Sequence, residues 1–266
     1  VCYQIVSATR AGEIVWTHAD PVRFDPSGVG ALGFVGPRAT PVIHQGKVIT
    51  QGATGIVNCL DARTGRRLWS HDTLAETETE NLSWGKSGSP LVVDDRVVVS
   101  VGAAGGQSLV AYQIESGQQV WATGNHRSSY ASPVLAELAG QRQILSVDED
   151  WLTSYRAQDG QFLWEHPWPG HSGSNASCSQ PVPIGENRVF LSKGYGIGST
   201  LLQVERDPRD QFSAKPLWSP SPKPVMKTKM GNVLVRDGFV YGLDGVTLEC
   251  IELETGKKRW NKRRRP

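Results

Sequence analysis

A glycine followed four residues later by a tryptophan recurs along the chain, and this spacing restricts the possible folds more than any other feature. The pairs are Gly12/Trp16, Gly65/Trp69, Gly117/Trp121, Gly160/Trp164 and Gly256/Trp260, with Trp218 in a copy that lacks the glycine. Successive tryptophans lie 53, 52, 43, 54 and 42 residues apart. A unit of about 40 residues with insertions is the length of one four-stranded β-propeller blade. The spacing therefore predicts a series of such blades.

A second landmark precedes each tryptophan: a small or polar residue, then proline, then an apolar pair. It occurs at 40–43, 89–92, 132–135 and 180–182, with a variant at 231–234. Four short strands fit between landmark and tryptophan in the second unit, at 41–43, 47–51, 56–61 and 66–70. They are rich in β-branched residues and separated by Gly or Asp turns, which is typical of hairpins. Helical periodicity appears nowhere.

The predicted fold is therefore all-β, a β-propeller of four-stranded antiparallel blades. About five full blades and one partial blade occupy residues 1–17, 39–71, 88–123, 131–166, 179–219 and 230–262. Because a propeller closes to cover its edge strands, we expect one domain, 1–266, that is a segment of a seven- or eight-bladed ring and needs further blades to close.

The cysteines follow the repeat. Cys59 and Cys250 each lie six residues before the repeat glycine, where other units carry Ala111 and Ser154. A small residue at one strand position is a packing requirement, so we interpret these cysteines as structural thiols. The chain has no adjacent cysteine pair and no Cys/His spacing typical of zinc, so no metal site is predicted.

Two segments carry a family resemblance: 59–69, CLDARTGRRLW, and 250–260, CIELETGKKRW. Both resemble the pyrroloquinoline-quinone (PQQ) propeller repeat, and the five matched copies extend the resemblance over the whole chain. It implies that the repeat tryptophans dock on the neighbouring blade. Loss of one, such as Trp69, would then cost ~3–5 kcal/mol. The chain resembles two branches, PQQ-dependent alcohol dehydrogenases and cofactor-free propellers similar to the outer-membrane barrel assembly lipoprotein B. Residues 130–168 look most like uncharacterised bacterial PQQ-like proteins.

The dehydrogenase branch implies a vicinal disulfide under the quinone, a bound Ca²⁺ and an aspartate base. Without adjacent cysteines, no cofactor is expected; PQQ and Ca²⁺ belong only to the alternative of a dehydrogenase fragment. The tight acidic cluster, Asp148 to Asp150, is interpreted as a polar β-turn. The glycine-rich stretch 194–198 is interpreted as a turn between strands, because no helix follows it.

The connections between blades carry a group of basic residues. In a propeller, the link from one blade's outermost strand to the next blade's innermost strand returns beside the central channel. Residues before each proline landmark should therefore ring the channel mouth. This predicted rim consists of Arg38, Lys86, His126, Arg127, His171, Lys227 and Lys229. Converging cations favour an anionic small molecule or an acidic protein partner. Ordinary solvated loop charge is the plainer interpretation.

Charge and hydropathy exclude some partners. With 28 basic and 26 acidic side chains, the chain has no global field for nucleic acid. A basic run at 257–265 is interpreted as a solvated terminal stretch, with anion binding as the alternative. No apolar stretch approaches the ~20 residues of a membrane span. No secretory leader is visible. The family resemblance implies a periplasmic or cell-surface location.

Three functions remain open on these grounds. The favoured one is a non-catalytic propeller that binds a protein or small anionic ligand in the bacterial cell envelope. The second is a fragment of a PQQ-dependent alcohol or sugar dehydrogenase, and the third is a purely structural segment. A shared fold does not decide among them.

Overall fold

The predicted all-β propeller fold is confirmed. The computed structural model describes residues 2–8, 11–25, 36–171, 173–218 and 223–263. Strands in these ranges form five four-stranded sheets and one two-stranded sheet, and each strand pairs with its sequence neighbour. Every pairing is antiparallel, as expected of blades built from consecutive hairpins. By contacts, the chain divides into two compact units, Val1–Pro133 and Val134–Pro266.

The first unit contains three sheets. The two-stranded sheet comprises β1 Cys2–Ala8 and β2 Ile14–Asp20. The next comprises β3 Val42–His44, β4 Lys47–Gln51, β5 Ile56–Asp61 and β6 Arg67–Asp72, and it is followed by the helix α1 Thr73–Glu76. The third comprises β7 Leu91–Val93, β8 Arg96–Ala103, β9 Gln107–Gln113 and β10 Gln119–Thr123.

The second unit contains the remaining three sheets. One comprises β11 Val134–Leu138, β12 Gln141–Val147, β13 Trp151–Arg156 and β14 Phe162–Pro167. The next comprises β15 Val182–Ile184, β16 Arg188–Lys193, β17 Gly198–Arg206 and β18 Phe212–Trp218. The last comprises β19 Leu234–Arg236, β20 Phe239–Asp244, β21 Thr247–Glu252 and β22 Lys258–Arg263. Among the described residues, no helix has the length and apolar character needed to cross a bilayer.

The strands of the second predicted blade test the local sequence analysis. β4 and β5 have the predicted bounds, whereas β3 and β6 begin and end one or two residues later. The helix α1 was not predicted, because one turn is too short to show a 3.6-residue period. Asp72 caps this turn, and its carboxylate accepts a hydrogen bond from the Ala75 amide at 3.1 Å.

Within each unit, the inner strands carry buried apolar residues, and neighbouring sheets pack against each other through them. In the first unit, Ile49 and Val57 of one sheet join Val97, Val99 and Val110 of the next in one fully buried cluster. The same arrangement recurs in the second unit, where Phe190 and Leu201 pack with Val240 and Ile251. These clusters hold the sheets face to face.

An indole ring covers a glycine where β2 meets the next sheet. Trp16 lies over Gly65, and a Cβ placed on that glycine would lie 2.6 Å from ring atoms Cδ2 and Cε3. The Trp16 Nε1 donates to the Ala62 carbonyl at 3.0 Å. Gly65 has φ 72°, a left-handed conformation that side chains other than glycine rarely adopt. The position thus requires glycine for both its backbone and its space.

The same contact occurs at two further places. Trp69 covers Gly117 and donates to the Ile114 carbonyl at 2.8 Å. In the second unit, Trp218 covers Gly256 and donates to the Leu253 carbonyl at 2.9 Å. In each case the acceptor lies three residues before the glycine. We call this contact the indole–glycine seam.

The other tryptophans of the repeat lie in different environments. Trp164 is 2% exposed, and its Nε1 donates to Gln143 Oε1 within its own sheet at 2.8 Å. Trp260 is 44% exposed, and Trp121 is half-buried. The other predicted glycines, Gly12 and Gly160, have φ values of 82° and 74°.

Gly65→Ala should destabilise the protein more than Gly46→Ala. Both glycines are left-handed, at 72° and 75°, but a Cβ on Gly46 meets nothing within 4 Å. Strain alone should cost about 1–2 kcal/mol in either variant. The clash with Trp16 should add about 1–3 kcal/mol in Gly65→Ala. Urea unfolding followed by tryptophan fluorescence measures the difference, and equal losses would contradict the seam.

Candidate functional site

The predicted rim residues of the first unit lie in different environments. Lys86 is 2% exposed, and its ammonium donates to the Val101 carbonyl at 2.5 Å and to Ser128 Oγ at 2.7 Å. A buried ammonium needs such partners because desolvation of a charge is costly. The buried Lys86 therefore links its own connection to strand β8 and to the connection that contains Ser128. Its ammonium is not available to a ligand.

The other three residues of this group are more accessible. Arg38 is half-buried, with its guanidinium 4.9 Å from the centre of the Phe24 ring and Nη1 donating to the Gly36 carbonyl at 3.0 Å. Arg127 is exposed, and His126 is half-buried. In this unit, Arg127 is the rim cation that solvent reaches most freely.

In the second unit, one predicted rim residue lies beside the turn between β16 and β17. Lys229 is exposed, and its ammonium lies 4.9 Å from the centre of the Tyr195 ring. Lys227 is half-buried and forms an ion pair with Asp244 at 3.1 Å. His171 is exposed, and its Nδ1 accepts a hydrogen bond from the Gly173 amide at 3.0 Å. Lys229 and Tyr195 thus present a cation and an aromatic ring side by side.

Tyr195 occupies a left-handed backbone position in this turn. It lies between β16 and β17 with φ 58°, and its side chain is 36% exposed. Seven other described non-glycine residues also have a positive φ, so the conformation is one that this chain uses in its turns. The turn packs closely on the connection before β19, because a Cβ on Gly194 would lie 3.0 Å from the Lys229 Cα. The predicted turn at 194–198 is therefore part of the surface around Lys229.

Lys193 is a buried cation that the sequence analysis missed. It ends β16, is 1% exposed, and donates to the Pro169 carbonyl at 2.6 Å. Burial lowers the pKa of its ammonium to about 8, and the nearby carboxylate of Asp150 offsets part of this shift. The sequence held one signal of this buried cation. The second strand of this sheet, β16, ends in a lysine, whereas the second strand of the preceding sheet, β12, ends in Val147.

The acidic cluster forms the turn between β12 and β13, as interpreted from sequence. Asp148 is fully buried and accepts hydrogen bonds from Ser146 Oγ at 3.0 Å and Thr153 Oγ1 at 3.3 Å. Asp150 accepts from the Gly170 amide at 3.3 Å. These carboxylates therefore accept hydrogen bonds from their own hairpin and from the connection that follows β14.

The thiols and acidic groups do not match a calcium–quinone centre. Cys59, Cys178 and Cys250 are free, and burial raises the pKa of both Cys59 and Cys178 to about 11. Across the described ranges, no three His, Cys, Asp or Glu residues are grouped so as to hold a metal ion. Ca²⁺ requires six to eight oxygen ligands. The donors that the described residues offer therefore do not fit this group.

Comparison with known proteins gives the family. The profile of the family described as outer membrane protein assembly factor BamB matches residues 4–262. The chain belongs to this family. BamB of Xanthomonas campestris pv. campestris is 26% identical over 265 residues, which cover 92% of this chain and 61% of that protein. A lanthanide-dependent methanol dehydrogenase of Methylacidiphilum fumariolicum is 30% identical over 130 residues, covering 47% of this chain and 18% of the enzyme. The chain thus spans less than two thirds of either relative.

Solved structures agree on the fold of this family member. BamB of Moraxella catarrhalis matches with a TM-score of 0.64 at 16% identity, covering 96% of this chain and 69% of that one. Quinohemoprotein alcohol dehydrogenase ADHIIG of Pseudomonas putida HK5 matches with a TM-score of 0.57 at 17% identity, covering 87% and 42%. At these identities the likeness shows the fold alone.

The lowered pKa of Lys193 predicts that stability rises with pH. The folded-state pKa is about 8 and the ordinary value is 10.5, so between these the unfolded chain binds more protons than the folded chain. The free energy of unfolding should therefore increase from about pH 8 to about pH 9; above this range the buried thiols of Cys59 and Cys178, whose pKa values are raised from 9.0 to about 11, contribute the opposite slope.

Replacing the amine should remove this slope. We expect Lys193→Met to flatten the increase, and Lys215→Met to retain it, because the Lys215 side chain is 71% exposed. Urea unfolding at several pH values measures the slope. An identical slope in the parent and Lys193→Met would contradict the assignment.

Proposed function

We propose that the protein is a non-catalytic member of the BamB family that binds an acidic protein segment or small carboxylate in the bacterial cell envelope. Support comes from the family match over 4–262, because the matched family is described as an assembly factor. Similarity to dehydrogenases covers 18% of the methanol dehydrogenase. A rigid scaffold with variable loops suits a binding role, because affinity can be located in the loops.

The observation that carries the proposal is the Lys229–Tyr195 pair. The exposed ammonium lies over an aromatic ring whose backbone is held in a left-handed conformation. The pair offers a charge for a carboxylate and an apolar surface beside it, which is the combination found where rings and cations recognise partners. The neighbouring Lys227 is already neutralised by Asp244. Lys229 is therefore the cation of this surface that we assign to the ligand.

Charge reversal tests the proposal with citrate as the probe. Lys229→Glu should weaken citrate binding by up to about fivefold, since an exposed ion pair is worth up to ~1 kcal/mol. Lys215→Glu, on the outer strand β18, is the matched control and should leave binding unchanged. Isothermal titration calorimetry at low and high salt measures both. Equal affinities for all three proteins would refute the role of Lys229.

Periplasmic location and the absence of a cofactor are parts of the same proposal. Adding PQQ and Ca²⁺ should produce neither quinone-specific absorbance on the protein nor dye-linked oxidation of ethanol or glucose. The reason is the lack of paired thiols and convergent oxygen donors in the described chain. Stoichiometric quinone binding with alcohol oxidation would instead establish the dehydrogenase alternative.

A further inference from the structure

The imidazole ring of His71 contacts three segments of the first unit. It lies on β6, and its side chain is 23% exposed. Nε2 lies 2.7 Å from the Gly117 carbonyl oxygen, and Nδ1 lies 3.0 and 3.1 Å from the two carboxylate oxygens of Glu76 on α1. The ring also stacks on Tyr112 of β9, with ring centres 4.2 Å apart and 19° between the planes. Both sheets involved have all four strands.

Both ring nitrogens of His71 face groups that only accept hydrogen bonds. A carbonyl oxygen has no proton to donate, and an ionised carboxylate has none either. A neutral imidazole carries a proton on one nitrogen, so it can donate to Gly117 or to Glu76 but not to both. His171 shows the contrast, because its Nδ1 accepts from the Gly173 amide and needs no second proton. The two contacts of His71 therefore require a doubly protonated ring.

The other titratable groups on the surrounding elements have fixed roles. Burial, and next the Glu76 carboxylate, raise the pKa of the Tyr112 phenol, so this ring stays neutral. Asp72 caps the turn that follows β6, and Glu115, near Gly117, forms an ion pair with a lysine of β4. Histidine is the side chain whose charge ordinarily changes between about pH 5 and 8. In that range, protonation of His71 decides whether both of its contacts can form.

Solvent exposure decides which contact the neutral ring keeps. The Gly117 carbonyl cannot move away, because this glycine lies in the indole–glycine seam formed by Trp69. An unprotonated Nε2 facing that carbonyl would leave two acceptors opposed at a part-buried site, which is costly. The Glu76 side chain is 46% exposed, so its carboxylate can turn into water instead. A neutral ring therefore keeps its proton on Nε2 and releases Glu76.

We propose that His71 forms a pH-controlled contact that binds α1 to β6 when its ring is doubly protonated and releases Glu76 when the ring loses a proton. The contact lies at the start of the connection 73–88, which also carries the buried Lys86. The seam at Gly117 holds in both states, so the change loosens the connection without separating the sheets. The inference is independent of the proposed function, whose ligand surface lies in the second unit.

The first test locates the protons on the His71 ring in the complete chain. Two-bond proton–nitrogen NMR distinguishes protonated from unprotonated ring nitrogens, and the spectrum of His71→Gln assigns the signals. We expect protons on both nitrogens at about pH 5.5 and on Nε2 alone at about pH 8. A ring with a single proton at the lower pH would overturn the inference. So would a proton that remains on Nδ1 at the higher pH, because Glu76 would then stay bound.

The second test measures how firmly α1 is held. The Glu78 amide donates to the Ala75 carbonyl at 3.3 Å, and the Thr79 amide donates to the Leu74 carbonyl at 3.1 Å. NMR transfer of magnetisation from water gives their exchange rates, which are corrected for the intrinsic effect of pH. Protection of both amides should fall about two- to fivefold from about pH 5.5 to about pH 8, the range expected for loss of an exposed ion pair. The Gly117 amide should remain protected at both pH values.

Glu76→Gln separates this contact from general effects of pH. A glutamine amide can donate to the unprotonated Nδ1 of a neutral ring, so the contact no longer needs a second proton. Protection of the Thr79 amide in Glu76→Gln should therefore be the same at both pH values. Glu78→Gln removes an exposed carboxylate from the same connection and is the matched control, which should show the parent's fall. An equal fall in Glu76→Gln and the parent, or no fall in the parent, would overturn the inference.

Discussion

The architecture depends on one recurring contact, an indole lying over a left-handed glycine of the next sheet. Three such seams, at Gly65, Gly117 and Gly256, combine a backbone conformation, a space without a Cβ and a hydrogen bond from the indole N–H. Because each seam satisfies all three at one place, a change at the glycine affects all of them. The seams join successive sheets and so hold the connections between them in fixed positions.

The connections then distribute their cations between interior and surface. Lys86 lies inside, as does Lys193 at the end of strand β16, and carbonyl oxygens accept the hydrogen bonds of both ammonium groups. Arg127 and Lys229 lie outside. Buried ammonium groups stabilise loop geometry, whereas exposed ones can meet a ligand, so charge in these connections has two separate roles. Lys229 acquires its aromatic neighbour, Tyr195, from a turn that belongs to a different hairpin.

Local patterns predicted the strands well where turns are clearly marked. β4 and β5 match because Gly and Asp turns bound both of them. β6 extends further than expected, since Asp72 caps the helix α1 directly after the strand. The candidate site was harder to predict from local sequence patterns. Lys86 was predicted at the rim, and its burial results from Ser128, 42 residues further along the chain.

By itself, the sequence determined the repeat, the antiparallel blades and the turns at the repeat glycines, because these depend on residues a few positions apart. Tertiary structure decided which cations are buried, which ring Lys229 covers and that residues 258–263 of the basic run form the strand β22. The physical reason is that solvent exposure and ion pairing depend on contacts between distant segments. A periodic sequence pattern encodes the blades. The surface formed by the connecting segments depends on how the blades pack, which the pattern does not show.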